Sequence, residues 1–140
     1  MRIAVIDGQG GGIGKSIIER LRKDLTQEEL SRVEIIALGT NALATGAMLK
    51  AGADEGATGE NAVVRTVETV DVILGPIGVV LANSMLGELT PRMAEAIASS
   101  KARKLLIPMN RCRVDIVGVE PQPLPHQIEA LVQQVREMLR

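Results

Sequence analysis

Residues 8–14, Gly8-Gln9-Gly10-Gly11-Gly12-Ile13-Gly14, place five glycines in seven positions of a 140-residue chain. The apolar run Ile3-Ala4-Val5-Ile6, closed by Asp7, precedes them, and Lys15-Ser16-Ile17-Ile18-Glu19-Arg20-Leu21 follows with helical spacing. A strand, a glycine turn and a helix in that order suit the binding of an anion. Glycine admits φ > 0 and lets a bulky phosphate approach the backbone N–H groups, which the helix dipole makes still more attractive to negative charge. Each glycine also loses much backbone entropy on folding, so five of them are a costly way to build an ordinary turn. The run therefore points to nucleotide or other anion binding, with Lys15 placed to neutralise a phosphate.

Other side chains capable of chemistry are scattered. Asp7, at the end of the first strand, either orients a ligand or braces the turn by accepting glycine N–H groups. Bracing is favoured, because a carboxylate facing a phosphate repels it. Cys112 lies between Arg111 and Arg113, which would lower its pKa and favour a thiolate, although an idle cysteine is the commoner case. His126 follows Pro125 at a helix start and reads as solvated. Glu60 and Glu88 lie near glycines and have the chemistry of general bases, but no partner is evident for either.

Composition narrows the classes of function. With 46% hydrophobic residues the chain can build a core, and its length suits one domain spanning residues 1–140. Sixteen basic against seventeen acidic residues leave neither a basic footprint for nucleic acid nor a polybasic membrane patch. Phe, Tyr and Trp are all absent, so no aromatic platform for stacking bases exists and an adenine ring would lie between aliphatic side chains. One cysteine and one histidine argue against a disulfide framework and against a metal site. The longest uncharged apolar stretch, Val72 to Ala82, has 11 residues and is broken by Gly75-Pro76, where a membrane helix needs roughly 20. No secretory leader is visible. The expectation is a soluble, cytoplasmic protein with no membrane or nucleic-acid partner.

The elements that would position the glycine turn follow from periodicity. Strands are expected at Arg2 to Ile6, Val33 to Leu38, Asp71 to Leu74, Lys104 to Ile107 and Val114 to Val119. Uninterrupted apolar runs of this kind suit strands buried on both faces of a parallel sheet. Helices are expected from about Ile13 to Leu25, from the capping box Thr26-Gln27-Glu28-Glu29, and from Asn41 to Lys50. Further helices are expected from Asn61 to Val70, from Thr90-Pro91 to about Ser100, and after Pro121, Pro123 and Pro125 to the chain's end. Residues 52–61 read as loop with room for one short edge strand, and residues 77–87 fit either a short helix or a loop. The alternation implies an α/β, three-layer, Rossmann-like fold with a mostly parallel sheet of about five strands.

In such a sheet, ligands lie beyond the carboxyl ends of the strands where strand order reverses. That crevice is expected between the first strand and the strand at 71–74. The exits converging there are Asp7 with the glycine turn and Lys15, then Thr40 and Asn41, then Gly75, Pro76, Asn83 and Ser84, and finally Asn110 and Arg111. All are small or polar. Taken singly, Asn41 is a natural helix cap and Gly75-Pro76 a natural strand stop.

Three motif templates compete for the turn. The dinucleotide fingerprint G-x-G-x-x-G fails at Ile13. The P-loop pattern fails because Gln9 stands where its first glycine belongs, and Asp71 opens its strand rather than ending it as a metal-holding acid would. The sequence Gly8-x-x-x-Gly12-Ile13-Gly14-Lys15 resembles the G-x-x-x-G-[IL]-G turn of short-chain dehydrogenases over about residues 2–25. That resemblance implies a pyrophosphate of NAD(P) on Gly8, Gly12 and Gly14. It does not extend to hydride transfer, because a chain without tyrosine cannot hold that family's Tyr-x-x-x-Lys, and no acid follows the second strand to hold a ribose hydroxyl. A looser resemblance, through Gly75-Pro76, Ala94 to Lys104 and Asn110, is to phospholactate transferases and the related gluconeogenesis factor. The opening IDGQGGGIGK and the segments ALGTNALAT and ANSMLGE–TPRMAEAI resemble a short, functionally uncharacterised bacterial family.

The sequence thus gives a nucleotide-binding protein, with an NAD(P)-like dinucleotide as the expected cofactor and no catalytic residue assigned. Its expected contacts are Gly8, Gln9, Gly10, Gly11, Gly12, Ile13, Gly14, Lys15, Thr40, Asn41, Gly75, Pro76, Asn83 and Asn110. A small phosphoryl- or nucleotide-dependent transferase, a P-loop-like ATP-binding protein and a non-catalytic scaffold with a structural glycine turn are the alternatives. The apolar 77–86 stretch motivates a homo-oligomer under each of them.

Overall fold

A computed structural model describes residues 1–109 and 112–140. Among them run β1 (Arg2–Asp7), α1 (Gly12–Asp24), α2 (Gln27–Ser31), β2 (Glu34–Gly39), α3 (Ala42–Ala51) and β3 (Glu55–Thr58). Then follow α4 (Glu60–Thr66), β4 (Val72–Pro76), a 3-10 turn at Ile77–Val80, α5 (Pro91–Ser99), β5 (Arg103–Ile107) and α6 (Leu124–Met138). The described strands form one sheet in the order β3-β2-β1-β4-β5, and every pairing is parallel. The order reverses between β1 and β4, as expected. All strand carboxyl ends consequently lie along one edge of the sheet.

The alternation of side chains along β1 shows how both layers are built. Ile3 and Val5 enter one core, with Ile17, Ile18 and Leu21 of α1, Met48 of α3 and Ile128, Leu131, Val132 and Val135 of α6. Ala4 and Ile6 enter the other, with Val63 of α4, Val79 of the 3-10 turn and Met93 and Ile97 of α5. A strand buried on both faces must be apolar at consecutive positions, which is the pattern of Ile3 to Ile6. The helices are stopped and started by local chemistry. Thr26 and Glu29 complete the capping box of α2, Asn41 caps α3 through the Ala44 N–H at 2.8 Å, and Thr90 caps α5 through the Met93 N–H at 3.1 Å.

Two expectations are corrected. Val114 to Val119 is not a strand: the segment is irregular, Gly118 turns it at φ 86°, and Val117 is 98% exposed. The β-branched composition suits a strand, but only six residues, 108–113, separate it from β5. A parallel neighbour needs a crossover of a dozen or more residues. The fifth strand is instead β3, the edge strand for which residues 52–61 left room. The helix expected over 61–70 stops at Thr66, with Val67 and Val70 still buried below a turn. The 77–87 segment is a single 3-10 turn followed by irregular turns.

Where β4 passes β1, the sheet requires a residue without a side chain. A Cβ on Gly75 would stand 2.3 Å from the Ile6 carbonyl oxygen, a fixed backbone atom. Gly75→Ala should therefore destabilise the fold by about 1–3 kcal/mol, as overpacking of a core does. Urea denaturation of the variant would check this.

Candidate functional site

The glycine turn is shaped from behind by Asp7. This carboxylate is 5% exposed and accepts the Gly8 N–H through Oδ1 and the Gly14 N–H through Oδ2, both at 2.8 Å. It spans the turn and ties the end of β1 to the first turn of α1. Asp7 thus braces the loop. Burial pushes its pKa upward. The N–H groups of Gly14, Gly8 and Ile13 oppose that push, and the negative Glu88 adds to it.

The five glycines divide by what surrounds them. A Cβ on Gly8 would lie 2.5 Å from Thr40 Oγ1 and 2.6 Å from Met85 Sδ. Gly11 has φ 72° and carries the N-cap of α1, and a Cβ there would lie 2.9 Å from the Ala44 Cα of α3. One on Gly14 would lie 2.5 Å from Met48 Sδ. Gly11 and Gly14 allow α1 and α3 to approach closely, and Gly8 leaves room for Thr40 and Met85. Gly10 and Gly12 differ. A Cβ on either would meet nothing within 4 Å, neither has positive φ, and both are exposed. Their N–H groups find no hydrogen-bond partner among the described residues.

The front of the turn is covered by a side chain from far along the sequence. Glu88 Oε1 accepts the Gln9 N–H at 2.8 Å, the Thr40 hydroxyl at 2.7 Å and the Asn41 Nδ2–H at 2.8 Å. Asn41 Nδ2 also donates to the Gln9 carbonyl at 2.9 Å while its Oδ1 caps α3. The Gln9 N–H is the main influence holding the Glu88 pKa below its ordinary value of 4.5. The Thr40 and Asn41 donors reinforce it against desolvation. Thr40 and Asn41 therefore converge on the turn as expected, with their donors directed at Glu88. Glu88 has the partners that the sequence alone did not reveal for it.

Glu88 is delivered by residues 81–89, an irregular strap leading from the end of β4 across to the end of β2. Asn83, Met85 and Leu86 take φ of 68°, 58° and 58°, a left-handed conformation that costs about 1–2 kcal/mol per ordinary residue. Asn tolerates it best, so Met85 and Leu86 carry the strain. Met85 lies over Gly8, and Leu86 is left 98% exposed at the tip. The Leu89 side chain anchors one end in the core, and Val79 of the preceding 3-10 turn is buried just before the other.

The remaining expected residues are placed as follows. Ile13 packs against the core, and Lys15 is half-exposed, with its Nζ 3.9 Å from Glu19 on the same helix. Gly75 and Pro76 are buried in the sheet at the reversal point. Asn83 is exposed, and its N–H donates to the Leu89 carbonyl at 2.8 Å. The Ser84 hydroxyl donates to the Gly78 carbonyl at 2.5 Å. Asn110 and Arg111 lie outside the described residues. The Cys112 thiol donates to the Met109 carbonyl at 3.2 Å, and Glu60 accepts the Thr90 hydroxyl at 2.6 Å. Asp71 accepts the Arg2 N–H at 2.7 Å, at the opposite end of the sheet from the glycine turn. Among the described residues no group of three His, Cys, Asp or Glu side chains could hold a metal ion, and no helix is long and apolar enough to cross a membrane.

Clefts of about 500 Å³ between β5 and α6 and about 400 Å³ beside β3 open elsewhere, and neither is lined by the turn. The strap meets the turn at Gly8 and Gln9 and leaves Gly10 and Gly12 exposed.

Two comparisons bear on the chain. It belongs to the family described as a domain of unknown function, DUF3842, whose model matches residues 2–140. No curated protein matches it.

The Glu88 geometry has a pH signature. A carboxylate whose folded pKa is lowered contributes stability that is present above 4.5 and lost as pH falls through the lower folded value. Glu88→Gln should be less stable than the parent at pH 7. The deficit should shrink as pH falls from 4.5 towards 3, as followed by urea denaturation across that range.

Proposed function

We propose that this member of the DUF3842 family binds a nucleotide, with an NAD(P)-like dinucleotide as the best-fitting class and its phosphates on the 8–14 turn. The observation that carries the reading is the pair Gly10 and Gly12. Packing and left-handed geometry account for Gly8, Gly11 and Gly14, but for neither of these two. What Gly10 and Gly12 have in common is an N–H with no partner among the described residues and open space where a side chain would stand, just before and at the start of α1, which suits an incoming phosphate.

The position of the turn supports the same reading. It lies at the carboxyl end of β1, where strand order reverses, and this is the place at which open parallel sheets receive ligands. A dinucleotide is favoured over ATP hydrolysis because Asp71 is at the far end of the sheet from the turn. Asp7, spent on Gly8 and Gly14, is not free to hold a metal in its place. The reaction, if the bound nucleotide is consumed, would be that of a small transferase using the same turn.

A thermal-shift screen against NAD, NADP, ATP, GTP and nucleotide-sugars tests the proposal. A ligand at 100 times its dissociation constant should add about 2.7 kcal/mol of stability. Gly12→Asp should fold normally, since its side chain meets open space, and should abolish the shift by placing a carboxylate where the phosphate belongs. Absence of a shift with every nucleotide would sink the reading, and a shift retained in Gly12→Asp would move the site off the turn.

We further propose that copies associate through the 77–86 region. Gly78 and Val79 are buried within the chain itself, so the contact would centre on the exposed Leu86. Light scattering at high concentration should show an oligomer that Leu86→Ser weakens; a strict monomer overturns this.

A further inference from the structure

We propose that Glu88 is an internal occupant of an oxyanion seat made by the Gln9 N–H, the Thr40 hydroxyl and the Asn41 side-chain amide, and that a phosphate-bearing ligand enters the turn by displacing it. The inference rests on the reading of the turn as a phosphate cradle and adds how access to that cradle is controlled. Three donors from two different segments meet on a single oxygen at 2.7–2.8 Å. They are 47, 48 and 79 positions away from Glu88 in the chain, so the contact is tertiary. A carboxylate oxygen and a phosphate oxygen make the same demand on such donors, each accepting N–H and O–H groups as an anion. The seat is therefore matched to the ligand's chemistry while the chain itself fills it.

The strap that brings Glu88 there is built to be released. It is anchored by Leu89 at one end and follows Val79 of the 3-10 turn at the other, both in the core, while its middle holds Met85 and Leu86 in a left-handed conformation with Leu86 uncovered by its own chain. Apart from Met85 on Gly8, the latch onto the turn is the Glu88 carboxylate. Its negative charge faces the same loop as that of Asp7, so an anion arriving beside both would be repelled until Glu88 leaves. Displacement removes one of the two charges and frees the Gln9, Thr40 and Asn41 donors together. The depressed Glu88 pKa means the latch is ionised, and competes as an anion, at neutral pH.

A seat that is already filled lowers apparent affinity by the fraction of molecules in which it is empty. The test is calorimetric titration of the full chain, as parent, Glu88→Gln and Glu88→Ala, with inorganic pyrophosphate and separately with NAD. Circular dichroism would verify that each variant is folded, and Glu88→Gln, which keeps the shape and loses the charge, guards against collapse of the strap. Both variants should bind pyrophosphate at least about tenfold more tightly than the parent. A second readout is Leu86→Trp, the sole aromatic residue in its chain. Its fluorescence, read at a concentration where light scattering shows one unchanged oligomeric state, should shift when pyrophosphate or NAD is added, as the strap lifts. Equal or weaker binding by both Glu88 variants would overturn the seat while leaving the nucleotide reading intact. Tighter pyrophosphate binding by the variants, with NAD bound by none of the three proteins, would uphold the seat and overturn the dinucleotide. Binding of neither probe to any of them would overturn both.

Discussion

A single buried carboxylate sets the shape of the region on which this fold converges. Asp7 accepts N–H groups from both sides of the glycine turn and so fixes the distance between the end of β1 and the first turn of α1. A buried carboxylate is tolerable only because backbone donors surround it. The Gly14 donor is available because the first N–H groups of α1 have no partner within the helix, and the Gly8 donor because the chain leaves β1 there. The strand and the helix are thus joined by a charge that would be costly without them. With Asp7 holding Gly8 and Gly14, the turn between closes through the Gly11 N–H on the Gly8 carbonyl at 2.9 Å, and Gly10 and Gly12 stay exposed. The close approach of α1 to α3 across Gly11, and of α1 to Met48 across Gly14, depends on the same clasp.

The architecture was readable from the chain because its signals are local or periodic. Ile3 to Ile6 announces a strand covered on both faces, and Ile17, Ile18 and Leu21 announce a helix resting on it. Thr26 with Glu29, Asn41 and Thr90-Pro91 mark helix starts by their capping chemistry. The strand at Glu55–Thr58 was nearly silent because an edge strand needs few apolar residues. Val114 to Val119 read as a strand because composition reports what a segment suits and not what its neighbours permit; six residues cannot return the chain for parallel pairing with β5.

The bracing role of Asp7 was legible as well, since a strand-end acid before a glycine run has few other uses. The role of Glu88 was not. It arrives from an irregular connection with no period, and its partners Gln9, Thr40 and Asn41 lie 47 to 79 positions earlier. Single residues in loops carry no signature of tertiary pairing. Gln9 is an expected ligand contact as part of the glycine turn, Thr40 and Asn41 as polar residues at a strand end, and the structure puts them together with their donors already engaged.

The sheet leaves β5 as an open rim, with a parallel row of backbone groups on its outer side and exposed Val117 on the connection beyond. Such rims can template pairing with other chains. This one is only five residues long and opens on the exposed Arg103 followed by Lys104, whose ammonium donates to the Ser100 and Ala102 carbonyls. Basic residues at the start of a short rim discourage a second strand from docking there, as charged gatekeepers do. Two basic side chains far in sequence from the glycine turn thus stand at the start of this edge.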